Sequence, residues 1–273
     1  MTKDNQFPYI HGFSKEEQDR LKEQARFAEH TIYKNINFSN AKKIIEVGCG
    51  VGAQTEILLR RFPNLHVTGI DRSDKQLATA TAYLKNHKEF DGRYDYHNQD
   101  ASHLDFESHE FDGAFFCWVL EHIPQPENVL GEVRRVLKPG GRIYLTEVLN
   151  TCLFIDPYSP SIWKYWMAFN DYQYDNNGDP FVGAKLGNLL MSQGYKDIRV
   201  NTITWHLDNR NPGLRREYLD YWTELVMSAS EQLIEAKYVT KELVADAHKE
   251  MKAVRSNPNS VIYDSFVQAS ATT

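Results

Sequence analysis

"KIIEVGCGVGAQTEIL", residues 43–58, decides how the rest of the chain is read. Apolar residues flank Glu46, glycines fill positions 48, 50 and 52, and helical spacing then begins. A short apolar run that ends in glycines reads as a buried strand over 42–48, and 52–62 as the helix after it. The glycine turn permits backbone angles that other residues resist. It also lets a ligand approach bare peptide and the positive end of the helix. On this reading a side chain at Gly48 or Gly50 would occupy the ligand's place. A tight strand–helix turn without a ligand would use the same glycines, so the loop needs support from elsewhere.

Working outward, Ser14 and Glu17 form a capping box for a helix over 14–36, with Leu21, Ala25, Ala28 and Ile32 at helical spacing. Further strands are expected at 66–71, 94–99, 111–119 and 141–148, the last entered through the turn "KPGG". Helices are expected from Ser73 to about Asn86 and over 124–137. Strand and helix alternate in this way through the first 150 residues, which predicts a parallel sheet covered by helices on both faces. In such a sheet ligands lie beyond the carboxyl ends of the strands.

The pattern changes after residue 150. Eight aromatics lie between 154 and 174, against 12% for the whole chain. They are Phe154, Tyr158, Trp163, Tyr165, Trp166, Phe169, Tyr172 and Tyr174. The polar "DYQYDNNGDP" (171–180) reads as a solvent-facing loop. A helix at about 182–193, a strand at 196–205, a mainly helical stretch over 211–254 and a last strand at 260–271 complete the chain. No linker or repeat interrupts it. We read one domain over 1–273, with an N-terminal cap helix (1–38), a ligand-binding core (40–150) and two insertions (151–180 and 211–254).

The chain has 273 residues, 41% of them hydrophobic and 25% charged, with a net charge of −6. That charge argues against a nucleic-acid backbone as the main partner. No apolar run approaches the roughly 20 residues of a membrane span, and the N-terminus shows no secretory pattern. Three cysteines without C-x-x-C spacing point to neither a disulfide framework nor a zinc site, so no metal is expected. The chain reads as cytoplasmic.

Asp71 closes the second strand. A carboxylate there can accept two hydrogen bonds from a ribose diol, although it could equally cap the next helix. Loop and carboxylate together point to an adenosine-containing ligand. "GCGVGA" also fits the dinucleotide pattern G-x-G-x-x-A, which keeps an NAD-dependent oxidoreductase open. Against it stand Glu46, placed to face a ligand's ammonium group, and Asp100, placed to accept from an adenine amino group. The segment 111–145 adds to these.

As a set, "EVGCGVG", "GIDRS", "QDASHLDF", "VLEHI" and "LKPGG" resemble the class I S-adenosylmethionine-dependent methyltransferases over roughly residues 40–150. The resemblance implies a Rossmann-like α/β three-layer sandwich. Its seven-stranded sheet is mostly parallel with an antiparallel last strand, and the two insertions are added as an aromatic, helical lid. The helical stretch before the last strand departs from the simple hairpin of many relatives. The implied cofactor is S-adenosyl-L-methionine. Glu46, Gly48 and Gly50 would line its methionine end. Asp71 would hold the ribose, with Arg72 and Gln76 nearby, Asp100 and Ala101 would border the adenine, and Trp118 would lie beside the sulfur. The N-terminal segment is similar to one that folds over the cofactor in some small-molecule methyltransferases. That makes Tyr9, Gln24 and Arg26 further contacts, unless the helix only packs.

Methyl transfer from a sulfonium requires alignment, exclusion of water and, for some acceptors, removal of a proton. His122 and Glu147 are the catalytic candidates, His122 because imidazole titrates near neutrality. Glu147 could instead serve in a salt bridge or cap. Phe154, Tyr158, Trp163, Trp166 and Tyr172 are candidate substrate walls, suited to an amine or an aromatic ring, if they do not merely pack. Tyr218, Tyr221, Trp222 and Leu225 form a helix face. Core packing is its first reading, with a homodimer contact or a second pocket wall next. The expected function is methylation of a small molecule such as a secondary metabolite, with no nucleic-acid or membrane partner. The alternatives are the oxidoreductase and a non-catalytic S-adenosylmethionine-binding protein.

Overall fold

The computed structural model describes Gly12 and residues 14–273. Its first half follows the alternation in the sequence. The strands are β1 (Lys43–Val47), β2 (His66–Asp71), β3 (Tyr94–Asn98), β4 (Phe111–Cys117) and β5 (Leu137–Val148), all paired in parallel. Between them run α2 (Ala53–Arg61), α3 (Asp74–Leu84) and α4 (Pro126–Val136), after an opening helix α1 (Lys15–Ile32). The start signals act locally. Ser14 Oγ accepts from Glu17 N and Ser73 Oγ from Gln76 N, while Pro126 supplies its fixed φ at the first turn of α4.

The second half holds β6 (Phe154–Asp156), α5 (Pro160–Asp175), α6 (Leu186–Ser192), β7 (Lys196–Leu207), α7 (Pro212–Met227), α8 (Ser230–Glu235), α9 (Lys241–Ser256) and β8 (Val261–Thr272). The strands run in the order β3-β2-β1-β4-β5-β8-β6, with β7 also paired to β8. β8 is antiparallel to β5 and to β7. The expected sheet with its antiparallel last strand is therefore present, and short β6 makes an eighth strand. β5 begins earlier than expected, because "KPGG" is carried within the strand rather than before it.

Side chains alternate across the strands and build a core on each face. Ile45 and Val47 pack with Val129, Leu130 and Val133 of α4 and with Leu186 and Leu190 of α6. Ile44 packs on the other face with Ala28 and Ile32 of α1 and with Ile57 and Leu58 of α2. A third core joins the two insertions, which lie far apart in sequence. Ile162, Tyr165 and Phe169 of α5 meet Trp222 and Val226 of α7 and Met251 and Val254 of α9. The Tyr165 hydroxyl donates to Val226 O at 2.7 Å.

β8 links this helical cap to the sheet. Its last pair with β5 is Phe266 with Val148, yet β8 starts at Val261 and stays paired there with β6 and β7. The strand thus runs past the carboxyl ends of the parallel strands into the cap. The segment 171–180, expected as a loop, continues α5 to Asp175. Buried Asn170 and Gln173 on its inner face, rather than solvent, decide its conformation.

Candidate active site

A cleft of about 1020 Å³ opens where the parallel strands end, between the sheet and the cap. One end is built from the glycine loop and the tip of β2. Gly48 and Gly50 line the cleft with φ of 68° and 50°, angles at which a Cβ is strained. The two glycines serve different needs. A Cβ on Gly50 would meet no protein atom and would stand in open space, as expected for backbone a ligand approaches. A Cβ on Gly48 would come within 2.7 Å of Val119, so that glycine is also required by the protein's own packing.

Asp71 bridges the loop and the next helix. Its Oδ2 accepts from Gly50 N and its Oδ1 from Ser73 N, both at 2.9 Å. Burial pushes its carboxyl above the usual range, against these donors. Ser73, not Asp71, caps α3. Arg72, Gln76, Asp100 and Ala101 also line this end. Arg72 stands 3.9 Å from Asp100. Asp100 Oδ1 accepts from the Ser102 backbone and hydroxyl, at 2.9 and 2.7 Å.

The turn after β4 carries the middle of the site. Trp118 has φ of 56°, held where its N–H reaches Thr146 O at 2.8 Å. Its ring packs edge-on against Phe266. The next two amides, of Val119 and Leu120, donate to Glu147 Oε1 at 3.1 and 3.0 Å. Glu147 is wholly buried and stands outside the cleft lining. The structure therefore corrects its candidacy as a base: it is a cap for the turn, and its carboxyl is pushed up to about 8 by burial. His122 does line the cleft, and its Nε2 lies 3.8 Å from Glu121 Oε1.

The far end belongs to the cap and to α1. Trp166 and Tyr172 reach the lining as expected. So do Tyr218, Tyr221, Trp222 and Leu225, which makes that helix face a wall of the cleft as well as part of the cap's core. Among the lining groups that went unread in the sequence are Arg20, Glu121, Gln173 and Asp264. Gln173 Nε2 donates to Glu121 Oε2 at 2.8 Å. Arg20 makes a two-pronged pair with Glu17 and lies 5.8 Å from the Tyr221 ring. Only Glu121, within "VLEHI", stood in a motif; the others occupy ordinary helix or strand positions.

Several expected contacts lie elsewhere. Gln24 lines the cleft, but Arg26 points outward and pairs with Glu217 at 3.4 Å, because a step of two residues changes the face of a helix. Glu46 sits behind the glycine loop, off the lining, and its carboxylate takes a protein partner in Thr55 Oγ1 at 2.6 Å. Burial pushes that carboxyl up to about 8. Phe154 and Tyr158 are exposed away from the cleft, at 47% and 71%. Trp163 turns to the other side of α5, into a small hollow with Leu153 and Ile155. Tyr9 lies outside the described residues. Among the described residues no group of three or more His, Cys, Asp or Glu could hold a metal ion, and no helix is long and apolar enough to cross a membrane.

Residues 45–145 match the methyltransferase domain family. The chain is similar to the sterol 24-C-methyltransferase erg-4 of Neurospora crassa, 32% identical over 123 residues that cover 45% of this chain and 32% of that protein. The match spans about a third of the length of that protein and of several other sterol 24-C-methyltransferases. Among solved structures, a Haemonchus contortus phosphoethanolamine N-methyltransferase 2, in complex with phosphomonomethylethanolamine and S-adenosylhomocysteine, shares the fold. Its TM-score is 0.57 at 18% identity, over 92% of this chain and 52% of that one. The [4+2]-cyclase SpnF also shares the fold, with a TM-score of 0.53 at 20% identity over 93% and 80% of the two chains.

Proposed function

Through residues 45–145 the chain belongs to the class I S-adenosylmethionine-dependent methyltransferases, and from that premise we propose that it methylates a small-molecule acceptor carrying an amine or an aromatic group, such as a secondary metabolite. One observation carries the reading. A single cleft joins the glycine loop and Asp71 at one end to Trp166, Tyr172, Tyr218 and Trp222 at the other. The first end suits an adenosyl ligand lying on bare backbone, since the Cβ direction of Gly50 leads into open space. The second suits an organic acceptor of modest size.

The residues present fit the cofactor. Asp71 would accept from the ribose hydroxyls with Gln76 beside it, Asp100 and Ala101 would border the adenine, and Trp118 would stand by the sulfur. S-adenosylmethionine supplies a methyl group already activated on a sulfonium. The chain's own part is then alignment and exclusion of water, and alignment alone can lower a barrier by roughly 7–11 kcal/mol. α1 covers the cleft, tied to α3 through Gln18 Nε2 and Gln76 Oε1 at 3.1 Å. Where the acceptor must lose a proton we assign its acceptance to His122, whose imidazolium the Glu121 carboxylate would steady.

Calorimetry with S-adenosylhomocysteine and with NAD tests the reading, followed by measurement of S-adenosylhomocysteine release over a panel of aromatic amines. We expect uptake of the first compound, none of the second, and turnover with at least one amine. Uptake of NAD alone would sink the proposal. His122→Phe should lower turnover at least tenfold while S-adenosylhomocysteine binds within twofold of the wild type.

A further inference from the structure

The far end of the cleft has a charge pattern that narrows the acceptor, within the methyltransferase reading above. Asp264 sits on β8 two residues before Phe266, the last residue that β8 pairs with β5. It is therefore on the length of strand that leaves the sheet for the cap, and it lines the cleft. Both of its oxygens are held. Oδ1 accepts from Ser265 N at 2.8 Å, and Oδ2 accepts from the Tyr218 hydroxyl. Tyr218 is itself fixed, 1% exposed and packed edge-on to Trp205 with ring centroids 5.2 Å apart.

Among the described residues Asp264 makes no ion pair. Its partners there are a hydroxyl and an amide. Burial accordingly pushes its carboxyl above the usual range. Glu121 adds a second carboxylate to the lining. The arginines of the lining face other acids, Arg72 towards Asp100 and Arg20 towards Glu17. Trp205, Tyr221, Trp222 and Phe266 join Tyr218 on the same lining, and aromatic faces attract cations. A neutral acceptor would cover the Asp264 carboxylate without compensating it, which is costly, whereas a cation would pair with it.

We propose that this end of the cleft is an ammonium-binding subsite, in which Asp264, held by Tyr218 and Ser265, anchors the protonated amino group of an arylalkylamine against the surrounding rings. A protonated nitrogen has no lone pair to attack with. The anchored group therefore fixes the acceptor, and Asp264 determines specificity rather than acting as the base.

The test uses protein saturated with S-adenosylhomocysteine and two pairs of probes at neutral pH: tryptamine with tryptophol, and phenethylamine with phenethyl alcohol. Each pair differs in an ammonium against a hydroxyl. Calorimetry should show the better amine binding at least tenfold more tightly than its alcohol. Asp264→Asn should reduce that ratio below threefold, and Tyr218→Phe should give an intermediate ratio, with S-adenosylhomocysteine affinity unchanged within twofold. Equal binding of amine and alcohol to the wild type, a ratio that survives Asp264→Asn, or no amine binding to the loaded protein overturns the subsite and leaves the methyltransferase reading standing. If Asp264→Asn does not fold, the wild-type ratio and Tyr218→Phe decide. Failure to take up S-adenosylhomocysteine overturns both.

Discussion

At the scale of single residues, Asp71 is used twice. Its carboxylate can hold a ribose diol, and it already holds the Gly50 and Ser73 amides in place. Removing it therefore takes away ligand bonds and the shape of the loop together. Hydrogen bonds to a charged group are worth about 1.5–3 kcal/mol each, so Asp71→Ala should weaken S-adenosylhomocysteine at least tenfold in calorimetry. Asp71→Asn, which keeps one acceptor oxygen, should weaken it less. The glycines of the loop should separate in the same way. Alanine in the left-handed region costs roughly 1–2 kcal/mol at either position. Gly48→Ala must also push against Val119, which adds about 1–3 kcal/mol of overpacking. Urea unfolding without ligand should thus show Gly48→Ala as the less stable variant. Gly50→Ala should lose ligand affinity out of proportion to its stability, and equal unfolding midpoints for the two would contradict this division of roles.

At the scale of elements, the cap depends on the turn that returns α9 to β8. Arg215 of α7 is 1% exposed and donates through Nη1 to the carbonyls of Asn257, Pro258 and Ser260, at 2.8, 2.9 and 3.0 Å. A guanidinium so buried fixes where β8 begins, and with it Asp264 and Phe266. Arg215→Met would leave the Pro258 and Ser260 carbonyls without that donor, while Asn257 O keeps Ser260 N and Oγ. Leaving buried acceptors unsatisfied costs about 1–3 kcal/mol, and we expect a loss of that order in urea unfolding. A change below about 1 kcal/mol would mean that water replaces the guanidinium without penalty. The existence of α1, α2, α3 and α4 was legible in the sequence, since caps and apolar spacing are local signals. α5 was not. Its aromatic run suited several conformations, and its polar end looked like a loop until Asn170 and Gln173 were seen to face inward.

At the scale of the whole molecule, two buried carboxyls set a pH dependence. Burial pushes Glu46 and Glu147 up to about 8 from an ordinary value of 4.5. For a carboxyl raised by folding, the native state holds the proton more tightly than the unfolded chain. The stability it contributes is complete below 4.5 and is lost as pH rises through about 8. The unfolding midpoint should therefore fall between about pH 5 and about pH 8 and level off above that. Glu147→Gln keeps an acceptor for the Val119 and Leu120 amides but cannot ionise, so its midpoint should fall less over that range. A midpoint as steep as the wild type's would show that Glu147 does not carry the dependence.

The sequence by itself determined the doubly covered sheet and the glycine-loop end of the cleft. Those features are written in short-range signals: three glycines within five positions, an aspartate at a strand tip, and apolar residues at strand and helix periods. Gly48, Gly50, Asp71, Asp100 and His122 reach the cleft from such signals, and Gln76, Ala101 and Trp118, which the family resemblance implied, line it too. Only the tertiary structure decided the end of the cleft that the cap lines. There the contacts are long-range, such as Tyr218 with Asp264 and Gln173 with Glu121, separated by 46 and 52 residues. It also decided which way each side chain faces, turning Arg26, Glu147, Phe154, Tyr158 and Trp163 from the cleft while bringing Arg20 and Asp264 into it. A side chain's direction is set by the packing of the elements that carry it, and that packing joins segments whose spacing along the chain holds no record of their meeting.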